Sequence, residues 1–174
     1  MLQNYNKYRV LSLFFDSPQS NFYIRDIGRK LKLAVTSVTN YLIELTKDGF
    51  LIKTEKGLYP SYKANRDYEN FTFYKKIHNL IKIRDSSLIN YIEDNFLPNS
   101  IILFGSYSRG EDIETSDIDI FVESKGGKIN VEKYEKMLNR KINIFFEDAF
   151  NKLSKELKNN IINGIKLDGY LKVF

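Results

Sequence analysis

The sequence predicts an α+β chain in three stretches: residues 1–65, mostly helical and closing on a hairpin; residues 66–97, a helical connector; and residues 98–174, apolar strands with a helix after them. Three observations carry this prediction. Apolar residues recur at helical spacing three times before residue 48, and two short β-type runs follow. Residues 67–96 keep a helical period throughout. Beyond residue 100, three short runs of strand type, 101–104, 117–122 and 141–146, are separated by polar stretches. The prolines, at 18, 60 and 98, each fall where a pattern stops.

The elements follow in order. Residues 5–15 (YNKYRVLSLFF) form the first helix and stop at Asp16-Ser17-Pro18. Residues 23–31 place Tyr23, Ile24, Ile27 and Leu31 on one face of a second. Val35, Val38, Leu42 and Leu45 make the buried stripe of a third, which Gly49 closes. Phe50–Lys53 and Leu58–Tyr62 then read as two strands around Thr54-Glu55-Lys56-Gly57.

Composition limits what such a chain can do. Its 174 residues are 43% hydrophobic and 28% charged, the make-up of a soluble globular protein with a real core. The absence of cysteine excludes disulfides, Cys-ligated zinc and a thiol nucleophile. A single histidine, His78, argues against a His-rich metal site or a His-based triad, and reads as a packed helix residue. No run approaches the roughly 18–20 uncharged apolar residues of a membrane span. The opening MLQNYNKYRV is too polar for a signal peptide, so the expected location is cytoplasmic. The net charge of +5 sits entirely in residues 1–65, while 66–97 and 98–174 each balance to zero. A basic segment beside a neutral one points to a polyanion partner for the first third.

Three helices and a hairpin in about 60 residues have the layout of a winged helix. The stretch Phe22–Tyr62, and VTNYLIELTKDGFLIK above all, resembles the winged helix-turn-helix family of DNA-binding domains. Ala34 and Val35 depart from that family, standing where polar residues are common. The expected DNA interface has two parts. Thr36, Ser37, Thr39 and Asn40, off the core stripe of the third helix, can reach base edges. Arg25, Arg29, Lys53 and Lys56, with Lys30 and Lys32, can contact phosphates. The other use of such a domain is protein contact or dimerisation, and a homodimer through residues 67–96 is one form of it.

In the connector, Phe71, Tyr74, Ile81, Leu88 and Ile92 predict one bent helix or two successive ones, interrupted at Arg84-Asp85. The chemistry lies further on, in SIILFGSYSRGEDIETSDIDIFV, residues 100–122. Ile101–Phe104 is a buried strand, and Gly105-Ser106 follows at once. Glycine admits a ligand close to the backbone, a helix starting there aims N–H groups at an anion, Ser106 adds a hydroxyl and Arg109 a positive charge. Asp117-Ile118-Asp119-Ile120-Phe121-Val122 reads as a second strand. Residues two apart share a face, so Asp117 and Asp119 point the same way with Cα atoms about 6.5–7 Å apart. Ile118, Ile120 and Val122 face a core. Two such carboxylates repel unless neutralised, and Mg²⁺, which takes carboxylate and phosphate oxygens, answers that need, with Mn²⁺ an alternative.

Gly-Ser after an apolar strand, ten further residues, then Asp-x-Asp in an apolar strand resembles the nucleotidyltransferase superfamily of the beta-like DNA polymerases, in its minimal nucleotidyltransferase type. Gly105, Ser106, Asp117 and Asp119 match that signature, over roughly residues 98–147. The resemblance implies a mixed sheet with flanking helices, and transfer of a nucleoside monophosphate from an NTP to a hydroxyl acceptor. The triphosphate would lie on Gly105, Ser106 and nearby N–H groups, and Asp117 and Asp119 would hold Mg²⁺. It also implies a third carboxylate on a later strand. The candidate strand is Lys141–Phe146, with Ile142, Ile144 and Phe146 on its buried face, and there Asn143 takes the carboxylate's place. Glu147 lies about 13 Å further along the same face. Asn143 is thus the third catalytic position, altered.

Residues 150–174 read as a helix around Lys152–Ile162 and a short closing segment, with packing as their role. Two functions follow. One is an Mg-dependent nucleotidyltransferase with a DNA-binding winged helix. The other is a DNA-binding transcriptional regulator whose nucleotidyltransferase-like domain binds nucleotide without efficient catalysis. The family resemblance adds one expected partner, a helical protein of the HEPN type in a toxin–antitoxin pair.

Overall fold

The structure is a computed structural model that describes residues 5–55 and 57–173. Two compact units divide the chain, Met1–Lys75 and Lys76–Phe174. Among the described residues, no helix is long and apolar enough to cross a membrane.

The first unit opens with α1 (Asn6–Asp16), β1 (Phe22–Tyr23), α2 (Ile24–Leu31) and α3 (Val35–Lys47), then β2 (Leu51–Thr54) and β3 (Ser61–Ala64). The strands form an antiparallel sheet in the order β1-β3-β2. Val10 and Phe14 of α1, Ile27 of α2, and Val38, Leu42 and Leu45 of α3 pack into one core with Leu51, Tyr62 and Phe71. α2 ends on Lys32 in the left-handed conformation, and the Leu33 N–H returns to the Gly28 carbonyl at 3.0 Å. At α3 the Phe50 N–H reaches Leu45 O and the Gly49 N–H reaches Thr46 O, with Gly49 at φ +87°. This paired closure needs a residue free to adopt positive φ, so the expected glycine stop is met.

Several expectations shift here. Phe22 and Tyr23 are a short strand paired with Tyr62 and Ser61, so Tyr23 leaves the helical face assigned to it. Val35 is 50% exposed, because the apolar stripe of α3 begins one turn later at Val38. The second hairpin strand starts three residues late. Pro60 cannot donate to a ladder, Leu58 and Tyr59 stay exposed, and pairing begins at Ser61↔Thr54.

α4 (Glu69–Ser86) holds the division between the units, and α5 (Leu88–Phe96) follows. The break falls at Ser87, which takes φ +62°, rather than at Arg84-Asp85. Tyr74 is exposed, whereas Ile83 is buried. His78 is buried, as a packed helix residue.

The second unit continues with β4 (Ser100–Phe104), α6 (Gly105–Arg109), β5 (Ile118–Glu123), α7 (Glu132–Leu138), β6 (Ile142–Glu147), a 3-10 turn (Phe150–Lys152), α8 (Lys155–Ile162) and β7 (Ile165–Gly169). The sheet order is β6-β5-β4-β7. β5 and β6 are parallel, which requires a crossover, and α7 supplies it. The closing segment proves to be a strand, since β7 pairs antiparallel with β4. β5 lies inside this sheet and is buried on both faces. Ile118, Ile120 and Val122 meet Ile83, Leu88, Ile89 and Ile92 of α4 and α5 on one side. On the other, Phe121 packs with Ile102, Phe104, Phe150 and Ile161. Only the N-terminal end of that second face is left open, and the acidic pair stands there.

Candidate active site

Three chain segments meet at this open end. Register sets Asp119 between two neighbours, opposite Phe104 of β4 and opposite Asn143 of β6. Asp117 comes one residue before β5 begins, a correction to its expected place inside the strand. Its side chain nonetheless turns to the same side. The Asn143 Nδ2 donates to Asp119 Oδ1 at 3.0 Å and approaches Asp117 Oδ2 at 3.3 Å. One amide nitrogen thus bridges the two carboxylates and offsets part of their mutual repulsion. Glu147 sits at the far end of β6 opposite Glu123, away from the pair. Among the described residues, no group of three or more His, Cys, Asp or Glu side chains is gathered as for a metal ion.

Gly105 forms the floor. It takes φ +74°, and a Cβ there would lie 2.5 Å from Asp119 Oδ2. Both facts demand glycine, one through backbone conformation and one through space. The turn it makes starts α6, with Ser106 part-buried and Arg109 exposed. The Ser108 hydroxyl donates to the Gly105 carbonyl at 2.8 Å and braces the turn. Arg109 is not idle, since its Nε donates to Glu111 Oε2 at 2.6 Å.

A buried polar network holds these parts from behind. The Asn79 Nδ2 donates to Tyr107 O at 2.9 Å and to Asp112 Oδ1 at 2.7 Å. The Arg140 guanidinium lies 3.7 Å from Asp112 Oδ2, with side chains only 4% and 1% exposed. Asp112 belongs to the loop leading to Asp117, and Arg140 comes just before β6. Sequence reading missed this trio. The sole hint is an acid in the loop between the two motifs, and a loop acid ordinarily reads as solvated. A second missed feature is Phe145, 41% exposed two residues past Asn143, its ring 5.6 Å from that of Phe104.

The donors suit a hard cation. Two carboxylates open to one side, and a half-turn of the Asn143 amide would present Oδ1 as a third oxygen, in keeping with the oxygen preference of Mg²⁺.

The residues expected to meet DNA lie apart from this site in sequence, in the first unit. Arg25, Arg29, Thr36 and Asn40 are exposed, and Ser37 and Thr39 are half-buried. The Thr39 hydroxyl donates to Val35 O at 2.9 Å. Lys53 Nζ donates to Glu55 Oε1 at 2.7 Å, which raises the lysine pKa and lowers that of the acid. Lys56 falls outside the described residues.

One comparison with known proteins falls within the second unit. A family model described as a nucleotidyltransferase domain matches residues 85–168, just under half of the chain. Three curated relatives, all from Methanocaldococcus jannaschii, carry the name "putative protein adenylyltransferase". One is 39% identical over 67 residues, covering 35% of this chain and 69% of the relative. Two more are 59% identical over 32 residues, covering 18% of this chain and 37% and 32% of the relatives. The chain thus spans about a third of the length of those two. No solved structure matches it significantly. With Gly105, Asp117 and Asp119 gathered at one sheet end and a relative matched over two thirds of its length, the chain belongs to the nucleotidyltransferase-domain family.

Proposed function

We propose that the second unit transfers a nucleoside monophosphate from an NTP to a hydroxyl acceptor, and that the first unit, read as a winged helix-turn-helix, binds DNA. The observation that carries the first part is the convergence of Asp117, Asp119 and Asn143 beside a turn that only glycine can make. The relatives' printed name supports a protein side chain as acceptor and an adenylyl group as cargo.

In this reading Asp117 and Asp119 hold Mg²⁺ or Mn²⁺. Such an ion, when bound, screens the triphosphate and polarises the phosphoryl oxygens. The chain's own residues do the rest. Gly105 lets the triphosphate approach the backbone, Ser106 offers a hydroxyl, and the Ser108 bond keeps the turn rigid. The acceptor oxygen bonds to the α-phosphorus as the bond to the bridging oxygen breaks, and pyrophosphate leaves. Asn143 cannot take the acceptor's proton, since an amide is not a base at neutral pH. The proton therefore passes to solvent.

That limit favours a second reading, in which the unit binds nucleotide with little transfer and the chain acts as a DNA-binding regulator. The bridging Asn143 amide is the specific observation behind it. An α-labelled NTP assay with Mg²⁺ separates the two. The first predicts label on the chain or an added acceptor, abolished by Asp119→Asn. Absence of label from the natural chain, with label from Asn143→Asp, overturns the first and supports the second. A HEPN-type partner, a homodimer and a cytoplasmic location belong to the same proposal; co-purification and sedimentation test the first two.

A further inference from the structure

Exposed apolar side chains beside cations are the least expected feature of the first unit. Ala34 caps the start of α3 and is exposed, and Val35 after it is 50% exposed. Val35 stands between two concavities, of about 370 and 620 Å³, that share Arg25 and Arg29 as walls. Lys32 lines the larger one.

The charges define the kind of occupant. On α2, Asp26 is paired with Arg29, and Arg25 and Lys30 stay exposed, as does Lys32 just past its end. On α3 the sole acid is Glu44, in the C-terminal half, where Lys7 Nζ meets it at 2.9 Å. The leading half of α3 therefore presents no carboxylate, and cations flank it. A polyanion with methyl groups on its edge matches this surface, and duplex DNA carrying thymine is such a polymer.

The side chains also say which bases. Arg and Lys make the commonest guanine contact. α3 has neither before Lys47, at its last residue. Asn40 and Thr36, one helical turn apart, are both exposed. Asparagine reads adenine N6 and N7 with both ends of its amide, and alanine or valine packs on the thymine methyl.

We infer that the first unit reads A·T base pairs in the major groove, with Ala34 and Val35 on thymine methyls and Asn40 on adenine. Arg25, Lys30 and Lys32 hold phosphates and set the register. This inference rests on the DNA-binding reading of residues 1–65.

The test uses the full chain and random-sequence duplex DNA at low salt, with bound fragments selected and sequenced. Selected sites are then titrated in two forms, with thymine and with uracil, which lacks only the methyl. The expected result is enrichment of A·T-rich sites and about fourfold weaker binding for each contacted methyl removed, the value of one buried carbon. Val35→Ser should shrink the thymine–uracil difference by about fourfold, the share of one methyl, and leave that of the methyl under Ala34. Asn40→Ala should weaken selected sites about tenfold and relax the A·T preference. Both positions are exposed, and matching thermal midpoints confirm intact folds. Sites rich in G·C, or equal binding of thymine and uracil forms, would overturn the inference and leave DNA binding standing. No binding to any duplex at low salt would overturn the DNA-binding reading and this inference with it.

Discussion

At the scale of single residues the site turns on Gly105. Its positive φ and the 2.5 Å approach of Asp119 Oδ2 to the place of a Cβ are independent demands. Gly105→Ala should cost about 1–2 kcal/mol in the backbone alone and push Asp119 aside. Denaturant unfolding reads the first effect, and equilibrium dialysis with Mg-NTP reads the second as lost binding. Asn143 shows how far residue-scale reading goes. Strand alternation placed it on the acidic face, and the register opposite Asp119 agrees. Its hydrogen bonds to both carboxylates were not legible, because they depend on β6 lying parallel beside β5.

At the scale of elements, the loop before β5 and the start of β6 are held together by the buried Asp112–Arg140 pair and by Asn79 of α4. Removing one partner of a buried pair strands the other charge. Asp112→Ala should therefore lose about 3–5 kcal/mol in denaturant unfolding. A gentler tie joins α7 to β6, where the Ile142 N–H donates to Glu135 Oε1 at 3.1 Å. That bond, with Lys141 beside it, holds the Glu135 carboxyl below the usual carboxylate range. A carboxyl whose folded pKa lies below its unfolded value, about 4.3 for Glu, stabilises the fold above that value and stops doing so as pH falls through the folded one. Glu135→Gln keeps an acceptor oxygen without the titration. Thermal midpoints of wild type should fall relative to this variant as pH drops below about 4. Elements were read unevenly. β4 was legible as a nearly continuous apolar run and β5 as an alternation of acids with Ile118, Ile120 and Val122, each next to part of the motif. β7 was not, because Ile165 and Leu167 alternate over too few residues to declare a strand, and only its ladder with β4 does so. β3 slipped because Leu58 and Tyr59 look like strand residues, while Pro60 beside them cannot donate.

At the scale of the whole molecule, charge is apportioned along the chain. The +5 excess lies in residues 1–65, and residues 98–174 are neutral. The proposed DNA contacts and the proposed nucleotide contacts should therefore respond differently to salt. If Arg25, Lys30 and Lys32 each neutralise a phosphate, log affinity for duplex DNA should fall against log salt with a slope of about −3. Fluorescence anisotropy across a salt series measures it, and a slope near zero would contradict the assignment of those residues. This division was visible in the sequence, because formal charge needs no fold to be counted.

Asp119 lies within the sheet, with pairing partners on both sides, while Asp117 is exposed and precedes the first ladder pair of β5. The two carboxylates should therefore differ in mobility. One is fixed by two ladders, and the other stands outside them, on a loop anchored further back at Asp112. A ligand gripped by both should therefore leave at a rate that depends on local opening of the short stretch between Asp112 and Ile118 as well as on bond strength. Amide hydrogen exchange would show this as slow exchange at Asp119 and faster exchange at Asp117, the gap narrowing when nucleotide is added.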